Sequence, residues 1–151
     1  MIGLPIDIRP SVPADEPVIY SHWIECQSRQ RPFSKLDTNW HAAGQHALIE
    51  RLLKRTRVMV ACDPRDPDQI YGYLVTGRPR VLYWIYVKMD FRRGAVATRL
   101  LRHVFDDLGT KPIEFTTRTC AILHHRDRWR LEYQSHYLCE ESWRHKAEAQ
   151  P

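Results

Sequence analysis

The sequence has no C-x-x-C pair and no apolar run long enough to cross a bilayer. Its cysteines, Cys26, Cys62, Cys120 and Cys139, stand far apart, which argues against a zinc cage or a disulfide framework and for reduced, mostly buried thiols. His124 and His125 are adjacent rather than four apart, so they lack the helical spacing of a metal-ligating pair, and no metal site is expected. The N-terminal MIGLPIDIRP has neither the basic start nor the apolar core of a secretory signal, and a cytoplasmic protein is expected. Internal repeats and low-complexity segments are also missing.

What is present is ordinary for one globular domain: 151 residues, of which 43% are hydrophobic and 27% charged. The 23 basic against 18 acidic residues give a net charge of +5, which favours anionic partners without choosing among them. Basic residues gather in 51–57, in 92–102 and, mixed with acid, in 126–130.

The chain divides by hydrophobic period. Ile6 to Arg9 alternates as a short strand, and Pro13 with Asp15 and Glu16 opens a first helix that runs to about Ser28. Gln27 to Asn39 reads as a polar loop. A second helix, with Trp40, Ala43, Ala47, Leu48 and Leu52 on its apolar stripe, follows to about Arg55. Val58 to Cys62 and Ile70 to Val75 pair as a hairpin across the turn Asp63 to Asp68. Val81 to Val87, VLYWIYV, is a buried strand. Lys88 to Gly94 forms a basic turn, and Val96, Ala97, Leu100, Leu101, Val104, Phe105 and Leu108 recur at helical spacing up to the stop at Gly109. Ile113 to Thr117 is a fifth strand, Ala121 to Arg130 a fourth helix, and Leu131 to Leu138 a polar sixth strand. A single domain over 1–139 and a loose charged tail over 140–151 are expected.

The strand–turn–helix around Arg92 and Arg93 carries the chemistry. A helix start leaves backbone N–H groups unpaired, and arginines at its positive end are unfavourable unless an anion compensates them. Phosphate is such an anion.

Ile85-Tyr86-Val87 followed by Phe91 to Leu101, FRRGAVATRLL, together with this element order, resembles the GCN5-related N-acetyltransferase family. The chain resembles a small divergent member, of a kind found among bacteriophage proteins. In that family a Q/R-x-x-G-x-G/A turn joins the fourth strand to the third helix. Arg92 stands at the Q/R place, Ala95 at the first glycine and Ala97 at the Gly/Ala place. The resemblance implies an α/β (α+β) fold with a mixed, mostly antiparallel central sheet, helices on both faces, and the order β-α-α-β-β-β-α-β-α-β. It implies acetyl coenzyme A as cofactor, with pantetheine amides pairing near Ile85 and Val87, pyrophosphate on the N–H groups between Arg93 and Thr98, and Arg92, Arg93, Gly94, Ala95, Val96, Ala97 and Thr98 as cofactor-binding residues. Ala95 brings a Cβ where glycine leaves room, and Gly94 is expected to supply the backbone freedom instead.

The implied reaction is acetyl transfer to an amine of a small molecule or protein. The family's base, a glutamate on the fourth strand, is replaced by Tyr83, and 81–87 holds no carboxylate; a water chain, Glu114 on the next strand or a substrate already neutral are the alternatives, none favoured by the sequence. The place of the usual tyrosine acid falls on His125, which can donate a proton near neutral pH. Arg118 stands where an asparagine is usual. The acceptor walls are expected to include Trp23, Arg31, Phe33 and His41. Competing readings are a coenzyme A-binding or protein-interaction module without catalysis and, ranked last, a nucleic-acid binder. The oligomeric state stays open, and no membrane partner is expected.

Overall fold

The computed structural model describes residues 3–28, 38–77, 80–117 and 120–134. In chain order these form β1 (Asp7–Pro10), α1 (Glu16–Ser28), α2 (Thr38–Arg55), β2 (Arg57–Asp63), β3 (Asp66–Gly77), β4 (Val81–Val87), α3 (Val96–Val104), β5 (Ile113–Phe115), α4 (Cys120–Trp129) and β6 (Leu131–Tyr133). Single 3-10 turns, Pro13–Asp15 and Met89–Phe91, precede α1 and follow β4. The strands lie side by side in sequence order as one six-stranded sheet. Ladders β1/β2, β2/β3 and β3/β4 are antiparallel, whereas β4/β5 and β5/β6 are parallel, each parallel pair being bridged by a helix.

Side-chain alternation along the strands makes two hydrophobic layers. On β2, Val58 and Val60 face one way and join Ile19 and Trp23 of α1 with Ile49 and Leu52 of α2. Met59 and Ala61 face the other way and join Val96, Leu100 and Leu101 of α3 with Ile122 and Trp129 of α4. Helices therefore cover both faces, as the sequence predicts. β3 begins earlier than expected, because the turn contracts to Pro64 and Arg65 while Asp63 still opposes Asp66. The third helix ends at Val104 rather than near Leu108, and turns carry the chain to β5. The sixth strand is seen only from Leu131 to Tyr133; the rest of its expected span and the tail lie outside the described residues.

β4 has two irregularities that matter later. Val75 pairs with Trp84 and Thr76 with Leu82, so Tyr83 is an extra residue on β4. The bulge places Tyr83 and Trp84, adjacent in sequence, in the same α1/α2 layer. At the other end Gly72 of β3 lies so close to β4 that a Cβ there would stand 2.5 Å from Tyr86 O. Only glycine allows that approach.

A buried ion pair fixes the start of the chain. Arg9 donates to both carboxylate oxygens of Asp15, at 2.7 and 3.0 Å, and to Pro67 O at 2.9 Å, while Asp15 also accepts the Val12 N–H at 2.8 Å. β1, the turn into α1 and the start of β3 are thereby joined. Burial alone would raise the Asp15 pKa, but the Arg9 and Val12 hydrogen bonds outweigh it and hold the carboxyl below its ordinary value. Its stabilising effect is thus complete above the unfolded value near 3.8 and is lost as pH falls through the lower folded value. Asp15→Ala should cost about 3 kcal/mol at pH 7, because it strands a half-buried guanidinium. Chemical denaturation at pH 7 and at successively more acid pH checks this, with the gap between the two proteins closing only under acid conditions.

Candidate functional site

The site grows from the parting of β4 and β5. These strands pair only at Val81↔Glu114 and Leu82↔Phe115. Arg80 anchors that closed end through Pro112 O at 3.0 Å and Asp107 at 2.9 Å. Immediately beyond, the Thr116 and Thr117 hydroxyls donate to Tyr83 O, at 3.2 and 3.3 Å, and end the contact. From Trp84 onward β4 has β3 on one side and a cleft on the other.

Backbone parity on that open edge follows from one bond. Lys88 donates its N–H to Tyr71 O at 2.8 Å, so Tyr86 also faces β3, whereas the N–H and C=O groups of Ile85 and Val87 face the cleft. Val87 O is taken by Arg92 Nε at 3.0 Å. Both donors and the Ile85 carbonyl remain available to an extended ligand that adds itself as a strand.

The cleft encloses about 790 Å³ and is lined by Cys26, Trp84, Ile85, Tyr86, Val87, Phe91, Arg92, Arg93, Ala95, Val96, Ala97, Thr98, Arg102, Ile122, His125, Arg128 and Trp129. α3 points its N-terminus at this space. Ala95 provides no side-chain cap, and the backbone N–H groups of Val96, Ala97 and Thr98 meet no backbone acceptor among the described residues. Uncapped N–H groups beside Arg92 and Arg93 make a strongly anion-attracting corner.

The turn bends differently from the expectation. Positive φ falls on Arg93 (75°) and Ala95 (58°), while Gly94 is not among the described residues with positive φ. Gly94 instead packs under Leu4, whose Cδ2 would lie 3.2 Å from an added Cβ. Ala95 therefore holds a left-handed backbone that glycine would adopt more easily, at some conformational cost.

The expected site residues separate into groups. Ile85, Val87, Arg92, Arg93, Ala95, Val96, Ala97, Thr98 and His125 line the one cleft, and Gly94 shapes the turn without reaching it. His125 is half-buried and stacks on Trp129 with ring centroids 4.4 Å apart. Tyr83 does not face the cleft, because the bulge turns its ring into the α1/α2 layer over Gly77. Glu114 sits opposite Val81 at the closed end of the strand pair and is not a lining residue. Trp23 is buried at 2% exposure, stacked on Trp84 at 5.2 Å, and is a core residue rather than an acceptor wall. Arg31, Phe33 and Arg118 lie outside the described residues, as does the side chain of His41.

One group that sequence reasoning missed is His22, whose ring lies 4.9 Å from that of the cleft residue Tyr86. Its Nδ1 is buried without a hydrogen-bond partner. Burial and then the Lys88 charge lower its pKa, against a smaller opposite pull from Glu25, so the imidazole is neutral at pH 7 and able to accept a proton. The available signal was its spacing: His22 and Cys26, a lining residue, are four apart on α1 and share a face.

Two measurements test this local chemistry. Because Ala95 is left-handed, Ala95→Gly should stabilise the protein by about 1 kcal/mol in thermal or chemical unfolding. His22 is kept neutral on folding, so its effect on stability is complete above the unfolded pKa near 6.5 and is lost as pH falls toward the lower folded value. Replacing it with Gln should flatten the stability profile in that window; an unchanged slope would refute the buried neutral imidazole.

No protein-family model and no curated protein sequence matches the chain. Solved structures do. A candidate acetyl transferase from Pyrococcus furiosus superposes with a TM-score of 0.62 at 18% identity, covering 82% of this chain and 91% of its own. The protein named histone acetyltransferase HPA2 and related acetyltransferase from Corynebacterium glutamicum gives 0.58 at 20% identity, with 81% and 83% covered. A GCN5-related N-acetyltransferase from Rhodopseudomonas palustris, also labelled a class-II aminotransferase, gives 0.53 at 19% identity, with 70% and 67% covered. With the splayed fourth and fifth strands and the open turn into α3, these likenesses establish that the chain has the GCN5-related N-acetyltransferase fold.

Proposed function

We propose that the protein transfers an acetyl group from acetyl coenzyme A to an amine. The observation that carries this reading is the meeting, in one cleft, of an unpaired strand edge at Ile85 and Val87 with the uncapped, arginine-flanked start of α3. Those groups fit the cofactor in kind and order: donors and an acceptor spaced for pantetheine amides, then N–H groups and guanidinium charge for pyrophosphate. When bound, the cofactor supplies an acetyl thioester activated toward amines. The three structural neighbours described above each carry acetyltransferase in their names, which supports the same reading.

The protein's own part is orientation and proton handling. Val87 N–H and Ile85 N–H fix the extended ligand along β4. Arg92, held by its Nε on Val87 O, keeps its remaining guanidinium donors at the end of that strand. His125, in the α4 wall, is placed to hold the proton that the departing thiolate requires. His22, behind Tyr86, outside the cleft lining and neutral at pH 7, takes up the proton of an acceptor amine only indirectly in this reading.

A second reading has its own support: β4 carries no carboxylate on its cleft portion and Tyr83 is turned away. It describes a coenzyme A-binding module without turnover. Calorimetric titration with coenzyme A, followed by thiol release from acetyl coenzyme A over an amine panel, separates the two. Acetyl transfer predicts both signals, with His125→Gln lowering turnover at least about 100-fold while coenzyme A affinity is kept. Affinity without thiol release on any amine supports the module instead. No binding at all would sink both.

A further inference from the structure

Cys26 of α1 lines the cleft but has no part in the reading above. It packs with Tyr86 in the α1/α2 layer, whereas the lining residues Ile122 and Trp129 belong to the layer under α3 and α4. The cleft therefore passes through the sheet where β4 and β5 part. Two ring contacts seat α1 on β4 at that point, His22 on Tyr86 at 4.9 Å and Trp23 on Trp84 at 5.2 Å. Cys26 follows these helix residues by four and three positions, so it shares their face, with its Cβ about 5–6 Å from that of His22. The thiol is half-buried and not in a disulfide. Two polar groups beside it lack partners. His22 Nδ1 is buried without a hydrogen bond, and so is the indole N–H of Trp84, a lining residue only 1% exposed.

Along β4, Val87 lies at the end of the strand nearest α3, and Trp84 is three residues back, about 10 Å away at about 3.3 Å per residue. The stretch that Cys26 shares with Trp84 is thus the end of the cleft remote from the phosphate-attracting corner. Resting on the coenzyme A reading, which puts the thioester at that remote end, we propose that Cys26 carries the acetyl group between cofactor and amine. In the first half-reaction the Cys26 sulfur attacks the thioester carbonyl. A C–S bond to Cys26 forms and the bond to the coenzyme A sulfur breaks. The thiol proton moves to His22, while His125 supplies one to the departing thiolate, leaving S-acetyl-Cys26 and coenzyme A. In the second, the amine nitrogen attacks the same carbonyl and the bond to Cys26 breaks. His22 returns its proton to the Cys26 sulfur, and the proton lost by the amine restores His125. One thioester replaces another in the first step, so the drive comes from amide formation in the second. Cys26 also connects the otherwise remote His22 to the cleft.

Acetyl coenzyme A given without any amine tests the relay. The wild-type protein should release about one equivalent of thiol per chain in a burst and gain one acetyl group, located by mass spectrometry on the peptide containing Cys26. A reactive amine added afterwards should remove the label. Cys26→Ala should lose burst, label and amine acetylation while keeping its calorimetric affinity for coenzyme A, and His22→Gln should slow the burst without moving that affinity. Circular dichroism confirms that each variant is folded, and the wild-type label stands independently of both. Amine acetylation that continues at the wild-type rate in Cys26→Ala, or that proceeds in wild type with no label on Cys26, overturns the relay and leaves acetyl transfer standing. Coenzyme A binding with neither burst nor amine product removes the relay and acetyl transfer together. Absence of binding removes the cofactor reading as well.

Discussion

Everything distinctive about this molecule depends on β4 losing a neighbour partway along. Two residues of β4 pair with β5, and then the threonine hydroxyls at 116 and 117 take the carbonyl that the next rung would have used. A strand edge inside a domain is a liability when it is left unpaired. Here that edge is kept rigid from the other side, where β3 pairs with β4 over its whole length and Gly72 lets the two backbones approach without obstruction. The cleft is therefore an opening in a well-supported sheet rather than a loose loop.

The second half of the site depends on a backbone conformation the residue types do not favour. Arg93 and Ala95 both adopt positive φ, where glycine would be more comfortable. What the conformation achieves is direction: the chain leaves β4, turns sharply and enters α3 with its first N–H groups facing the strand edge it has just left. The unpaired edge of β4 and the uncapped start of α3 are then parts of one continuous surface. Strain of this sort, kept in a functional cleft and carried by residues other than glycine, is consistent with a ligand making good part of the cost.

Much of the architecture was legible in the sequence because the two hydrophobic periods are clean where the layers are thick. β2, β4 and α3 announce themselves, and the motif at Arg92 to Ala97 is readable once its place between strand and helix is known. The β2/β3 hairpin is legible too, but the exact register and bulges between strands, and the contacts between distant segments, are not. Counting along a regular strand puts Tyr83 in the place of the base, whereas a bulge puts its ring in the other layer. Glu114 was plausible as a neighbour of β4, but the register puts it at the closed end of the pair. Trp23 satisfied the spacing of a helix that borders the cleft, yet spacing shows only that a residue faces inward, and the stack on Trp84 fills the core. Gly94 was given the backbone role because it is the glycine, although Leu4, 90 residues away in sequence, is the reason it is small. Pairwise contacts of this range have no local signature.

The ionisable groups around the cleft show why carboxylate chemistry is not a requirement of this site. None of the described lining residues is Asp or Glu, and the arginines among them raise the local positive potential. In such a field an ammonium is disfavoured relative to the free amine, so under the acetyl-transfer proposal part of the work of deprotonating an acceptor would be done by the surroundings. The same field would favour the ionised thiolate after acyl transfer, easing departure. What remains is to move a proton locally, and imidazoles suit that at neutral pH. His22 lies behind Tyr86 on the α1 side and His125 lies in the α4 wall, so the two imidazoles flank the open portion of β4 from different helices. The arrangement divides the groups by position, with arginines along α3 and α4 and imidazoles on either side of the strand.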